Sequence, residues 1–249
     1  MAQQQRRSIN VNIYLVRHAE SCTNVIARRQ PWHAQYKRLL YTDPPITNDG
    51  KEAAQQLKAA LKAKGVVKPD LVLSSRLLRA IQTAQELYPR RNVHPVCGLA
   101  ETVGGTSNKF SSVKNQKPFL RHPERVKYRM ETSALKCNDA VDKKWRFFMA
   151  ELTPILLQLI ATRRPCAKRY EPITVVIVSH SQWIQKFLGM QKRKLKNLHT
   201  FKLRLKLLLL SDVHDAVLVR PERGKETTTF FDGVAPKPAD EADAANCKK

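Results

Sequence analysis

Apolar residues recur along the chain in two patterns, and the alternation between them is the first structural signal. Short unbroken runs rich in β-branched residues occupy 11–16 ("VNIYLV"), 70–74 ("DLVLS"), 173–178 ("ITVVIV") and 216–219 ("AVLV"), with a weaker run at 93–96. These read as strands, and the lack of polar alternation in the first three implies burial on both faces of a sheet. Between them apolar positions repeat at helical spacing. In "NDGKEAAQQLKAALKAKG", Ala53, Ala54, Leu57, Ala60 and Leu61 fall on one face, with Thr47 placed to cap the helix and Gly65 to end it. Further helices are expected from near Leu77 to before Pro89, over about 134–160, and after His180. Pro154 lies inside the second of these, so a kink or a break into two helices is expected there.

Strands separated by helices predict an α/β fold: a three-layer sandwich whose mostly parallel central sheet carries helices on both faces. The domain is expected over 11–221, after a flexible N-terminus at 1–10. Residues 102–133 hold many turn formers and no clean period, which marks a lid-like insertion. Beyond Pro221 the chain turns polar, and 222–249 reads as a disordered tail.

Composition narrows the class. A hydrophobic fraction of 42% over 249 residues supports a full core. No apolar run reaches the roughly 18 residues of a membrane span, and no signal-peptide pattern opens the chain. Five dispersed cysteines without a C-x-x-C pair read as reduced thiols of a cytoplasmic protein and offer no zinc spacing. The formal charge of +24 implies attraction to polyanions: nucleic acid, phosphorylated small molecules or an anionic surface. Eight Lys or Arg between Lys186 and Lys206 concentrate that charge. The simpler reading of this stretch is a basic helix and an edge strand facing water.

Ligands of open α/β sheets bind beyond the carboxyl ends of the strands, so the residues just after each strand are the candidates for chemistry. Arg17 and His18 follow the first strand, Arg79 follows the second in "SSRLLRA", Glu101 follows the weak one in "GLAETVGG", and His180 follows "ITVVIV". Two guanidiniums, two imidazoles and a carboxyl thus converge on one rim.

These residues carry a family resemblance. "LVRHAES" resembles the Arg-His-Gly motif of the histidine phosphatase superfamily, the phosphoglycerate-mutase-like fold. "DPPITNDGKEAA", "SSRLLRAIQTA" and "VVIVSHSQWI" resemble three further elements of that family, in its order, over about 11–101 and 173–190. The resemblance implies a metal-independent, cofactor-free phosphatase. His18 attacks phosphorus and forms a phosphohistidine, with a backbone carbonyl holding its other ring nitrogen's proton. Arg17, Arg79, His180 and Asn24 hold the phosphoryl oxygens, and Glu101 protonates the leaving alkoxide. Glu20 is a second candidate for the acid, at a position that suggests loop structure. Planar guanidinium forks suit phosphate oxygens better than an ammonium does.

Ala19 and Ser181 stand where the family has glycine, which implies backbone crowding without loss of a reacting group. Thr23 replaces the Trp that phosphoglycerate mutases carry before Asn24, and "TVGG" after Glu101 departs from their Arg and Tyr-Gly. Hydrolysis is therefore the leading expectation. Mutase-type phosphoryl transfer and an inactive basic polyanion-binding module are the alternatives. The seven Lys and Arg of the insertion, from Lys109 to Arg129, imply a substrate with more than one anionic group.

Overall fold

In a computed structural model, residues 8–29, 42–66, 68–101, 106–128, 141–162, 171–190, 195–209, 216–219 and 227–234 are described. The β-branched runs form the strands they predict. β1 (Ser8–Arg17), β2 (Leu71–Ser75), β3 (His94–Val96) and β4 (Ile173–Ser179) are parallel, in the order β3-β2-β4-β1. An antiparallel extension continues from β1 through β5 (Thr200–Leu209) to β6 (Ala216–Val219), and β7 (Thr227–Phe231) also pairs with β5.

Period-two alternation divides the side chains between two cores. Ile9, Val11, Ile13 and Leu15 of β1 point one way, with Leu203, Leu205 and Leu207 of β5, and pack under the helices Val141–Thr162 and Ser181–Leu188. Tyr14 and Val16 point the other way, toward the helices Asn48–Ala63 and Leu78–Leu87. With Cys22–Arg29 first, these helices are named α1 (Cys22–Arg29), α2 (Asn48–Ala63), α3 (Leu78–Leu87), α4 (Val141–Thr162) and α5 (Ser181–Leu188).

The α2 termini behave as their residues require. Thr47 Oγ1 accepts from the Gly50 amide at 2.9 Å, and Gly65, just past the helix, adopts φ +78°.

Four expectations are corrected. Of the kink or break expected at Pro154, the break does not occur, because α4 runs from Val141 to Thr162 as one element. An interior proline costs about 3 kcal/mol, and complete burial of Leu152, Leu156 and Ile160 offsets it at roughly 1.5–3 kcal/mol each. The strand in the basic stretch is not an edge: β5 pairs with β1 on one side and with β6 and β7 on the other. The polar tail begins too early, since Thr227–Phe231 is β7 and Val234 bridges Asn197, while 235–249 lie outside the described residues. Likewise, Ser8–Asn10 of the expected flexible N-terminus belong to β1.

The cysteine reading is also corrected, because Cys22 and Cys97 are disulfide-bonded. A dispersed odd set gives no pairing information before the fold is known. Among the described residues, no helix is long and apolar enough to cross a membrane.

Candidate active site

Register places the two histidines. Parallel pairing sets Arg17 opposite Ser179, so the next residues, His18 and His180, leave neighbouring strands at the same level. Their ring centroids are 5.0 Å apart. The His18 amide donates to the Ser179 carbonyl at 2.9 Å, fixing the backbone as it leaves the sheet.

The tautomer of His18 follows from its partner. Nδ1 lies 2.7 Å from the Ala19 carbonyl oxygen, which can only accept, so Nδ1 carries the proton and Nε2 keeps its lone pair. Burial, then the Arg79 and Arg17 cations, push the imidazole well below its usual range, against the raising effect of the Ala19 bond. The ring is therefore neutral at neutral pH.

Arg79 occupies the second position of α3 and is 3% exposed. Its Nη1 donates to the Ser107 carbonyl at 3.0 Å and its Nη2 to Asn108 Oδ1 at 2.8 Å. Nη2 is also 3.4 Å from His180 Nδ1 and 3.6 Å from Glu101 Oε2. An arginine can only donate, so His180 Nδ1 accepts and a neutral His180 carries its proton on Nε2. Burial lowers Arg79 from the usual arginine value, and Glu101 and Asp43 raise it.

Arg17 is anchored through its backbone, donating to the His199 carbonyl at 3.0 Å and accepting from the Leu198 amide at 3.1 Å. Its Nη1 donates to the Leu195 carbonyl. Its Nε is buried with no hydrogen-bond partner among the described residues, a donor free for an oxyanion. Burial lowers Arg17 to about 10, so it is still a cation at neutral pH.

Glu101 follows a 3₁₀ turn, Cys97–Leu99, pinned from beneath. Ser179 Oγ donates to the Leu99 carbonyl at 2.7 Å, and Trp183 Nε1 donates to the Gly98 carbonyl at 2.7 Å. The Glu101 carboxylate is then 3.9 Å from His180 Nδ1 as well as near Arg79. Asn24 folds back, its Oδ1 accepting from the Ser21 amide and hydroxyl at 3.0 Å each. Glu20 is paired with Arg28, and its carbonyl accepts from Thr47 at 2.9 Å, which suits a loop role.

The two residues that replace family glycines are accommodated. Ala19 is fully buried, with its amide on Thr83 Oγ1 at 3.0 Å. Ser181 Oγ accepts from the Leu195 amide at 3.3 Å, and so helps hold the residue whose carbonyl receives Arg17.

Other positioning residues went unread in the sequence. Thr83 Oγ1 donates to the Arg79 carbonyl at 2.7 Å while accepting from Ala19. Asp43 caps α3 from outside, accepting from the Leu78 amide at 2.7 Å, and it ties down the insertion through Ser111 N at 3.1 Å and Gln116 Nε2 at 2.6 Å. Asp43 is raised by burial, and these hydrogen bonds oppose the rise.

The insertion is stitched along α3: Gln82 donates to the Phe119 carbonyl, Gln85 to the His122 carbonyl, and Arg125 to the Pro89 carbonyl. Among the described residues, no three His, Cys, Asp or Glu side chains gather into a metal-binding group.

The rim of this α/β sheet thus gathers a neutral imidazole, two buried guanidiniums and a second imidazole where parallel strands end. A profile of the histidine phosphatase superfamily (branch 1) matches residues 13–213, and the chain belongs to that family.

Among solved structures, a phosphoglycerate mutase from Bacillus anthracis str. Sterne is similar at 18% identity, over 86% of this chain and 92% of that one, with a TM-score of 0.46. A phosphoserine phosphatase from Entamoeba histolytica, solved with 3-phosphoglyceric acid, is similar at 24% identity over 88% and 98%, with a TM-score of 0.42. No curated protein matches the chain.

Proposed function

We propose that the chain is a phosphomonoesterase acting through a phosphohistidine. His18 Nε2 attacks phosphorus, an N–P bond forms and the P–O bond to the alcohol breaks. Glu101 gives the leaving oxygen its proton, then takes one from the water that cleaves the N–P bond and releases phosphate. Arg17, Arg79, His180 Nε2–H and the Asn24 amide hold the equatorial oxygens, where charge accumulates. The observation that carries this reading is the Nδ1 bond of His18 to Ala19, which leaves Nε2 as a lone-pair nitrogen beside His180.

Incubation with p-nitrophenyl phosphate in the presence of a chelator tests it. Release is expected from the wild type and not from His18→Ala; equal release from both would overturn it. Interconversion of 2- and 3-phosphoglycerate in a coupled assay would instead establish the mutase alternative.

The substrate is proposed to carry more than one anionic group. Of the insertion's cations, Arg125 is bonded to Pro89 and Arg121 pairs with Glu86, whereas Lys109 is exposed one residue from the Asn108 that receives Arg79. Higher kcat/KM for bisphosphorylated than for singly phosphorylated compounds is the expected result, and equal turnover the contrary one.

A further inference from the structure

On the antiparallel half of the sheet, outside the catalytic rim, β5 carries a row of basic side chains. The odd residues of β5 enter the core, which turns Lys202, Arg204 and Lys206 to the opposite side; Arg204 and Lys206 are exposed and Lys202 is half-buried. Side chains at i, i+2 and i+4 of a strand are spaced by about 6.6–6.8 Å per step. That is close to the separation of consecutive phosphates along one nucleic-acid strand.

Pairing supplies the neighbours. Asn12 lies opposite Arg204, Asn10 opposite Lys206, and Thr228 opposite Lys202. Lys202 Nζ sits 5.7 Å from the Tyr14 ring centroid, which orients it. Strands β1, β5 and β7 contain no Asp or Glu. The nearby Asp232 is held by Lys196 at 2.9 Å.

We propose that this face binds the phosphodiester backbone of double-stranded nucleic acid, independently of sequence. Three aligned cations of a +24 chain, flanked by amide and hydroxyl donors, match an evenly charged polymer. A peptide strand cannot add to β5, since its backbone is paired on both sides. An anionic membrane is disfavoured because the exposed large apolar residue among the described residues, Phe119, lies in the insertion and not on this face. Tyr14 is 4% exposed, with Phe230 edge-on against it at 5.3 Å, so Tyr14 itself offers no ring on which bases could stack.

The test compares two variants that each lose two positive charges. R204Q/K206Q alters the face. R90Q/R91Q alters exposed residues before β3, at the other end of the sheet with three strands between β3 and β5. Affinity for a mixed-sequence DNA duplex is measured across salt concentrations. R204Q/K206Q should bind at least tenfold more weakly, with a log–log salt slope smaller by about 2; R90Q/R91Q should stay within twofold of wild type. Thermal melting confirms folding, and the single variants R204Q and K206Q should each give about half the slope change.

Equal losses in the two double variants would assign binding to diffuse net charge and overturn the proposal. So would no loss in either, tighter binding of single strands than of duplex, or retention on anionic vesicles without binding to duplex.

Discussion

Ala19 and Thr83, 64 residues apart, are joined by a hydrogen bond of 3.0 Å from the Ala19 amide to the Thr83 hydroxyl. The same hydroxyl donates to the Arg79 carbonyl at 2.7 Å. One fully buried oxygen thus connects the residue after the proposed nucleophile with the backbone of the arginine that faces it. The spacing between His18 and Arg79 is set by this oxygen as well as by the sheet.

Thr83→Val keeps the shape and removes the bridge. The Ala19 amide is then buried without an acceptor, at a cost of about 1–3 kcal/mol. Because both loops lose their common tie, kcat should fall while KM changes less. Thr83→Ser should restore both stability and kcat. Denaturant melts and steady-state kinetics check this; a valine variant with reduced stability and unchanged kcat would reduce the bridge to a structural role.

The guanidinium of Arg79 reaches both His180 and Glu101, and His180 stands beside His18. Strand runs and helix stripes were legible because burial imposes a period, and the rim because parallel strands end at one level. What was not legible depends on backbone atoms or on distant partners. Leu195 and His199 serve Arg17 through their carbonyls, which no side-chain pattern announces. Asp43 caps α3 from 35 residues away, so the local rule of a capping residue just before the helix points to nothing at Leu77. β7, "TTTFF", was hidden by the charged residues around it, although its threonines and phenylalanines are good strand formers.

If Glu101 is the proton donor, its importance depends on the leaving group. A nitrophenolate departs without a proton, whereas an alkoxide does not. Glu101→Gln should therefore lower kcat by roughly 100-fold or more on alkyl phosphates and by far less on p-nitrophenyl phosphate. Equal losses on the two substrates would mean that the carboxylate acts through Arg79, 3.6 Å away, and not as the acid.

The neutral His18 has a pH signature. Its imidazole is held well below the usual histidine range chiefly by burial. In long-range proton–nitrogen spectra it should appear as the Nδ1–H tautomer and show no titration from pH 8 to pH 6. The unfolded chain takes up this proton near pH 6.5 and the folded chain does not. Stability on this account is full above about pH 6.5 and is lost as pH falls toward the lowered folded value, by at most about 1.4 kcal/mol per pH unit. His18→Ala should flatten the melting profile below pH 6.5 relative to wild type. A ring that titrates near 6.5 in the folded protein would contradict the placement.

Gly50 sets the last constraint on the His18 loop. It lies in the first turn of α2, where a Cβ would fall 2.5 Å from the Glu20 carbonyl oxygen and 3.2 Å from both the Glu20 amide nitrogen and Thr47 Oγ1. Two of these atoms are backbone, so relief requires moving the loop that begins at His18. In a helix, Gly→Ala is ordinarily worth up to about 1 kcal/mol of stabilisation. Here the overlap should reverse the sign, with Gly50→Ala destabilising by roughly 1–3 kcal/mol. Displacing Glu20 also strains the Ala19–Thr83 bond, so kcat should fall together with stability. Chemical denaturation and kinetics on the same preparation decide the point: a Gly50→Ala protein more stable than wild type, with full kcat, would show that α2 does not hold the loop in place.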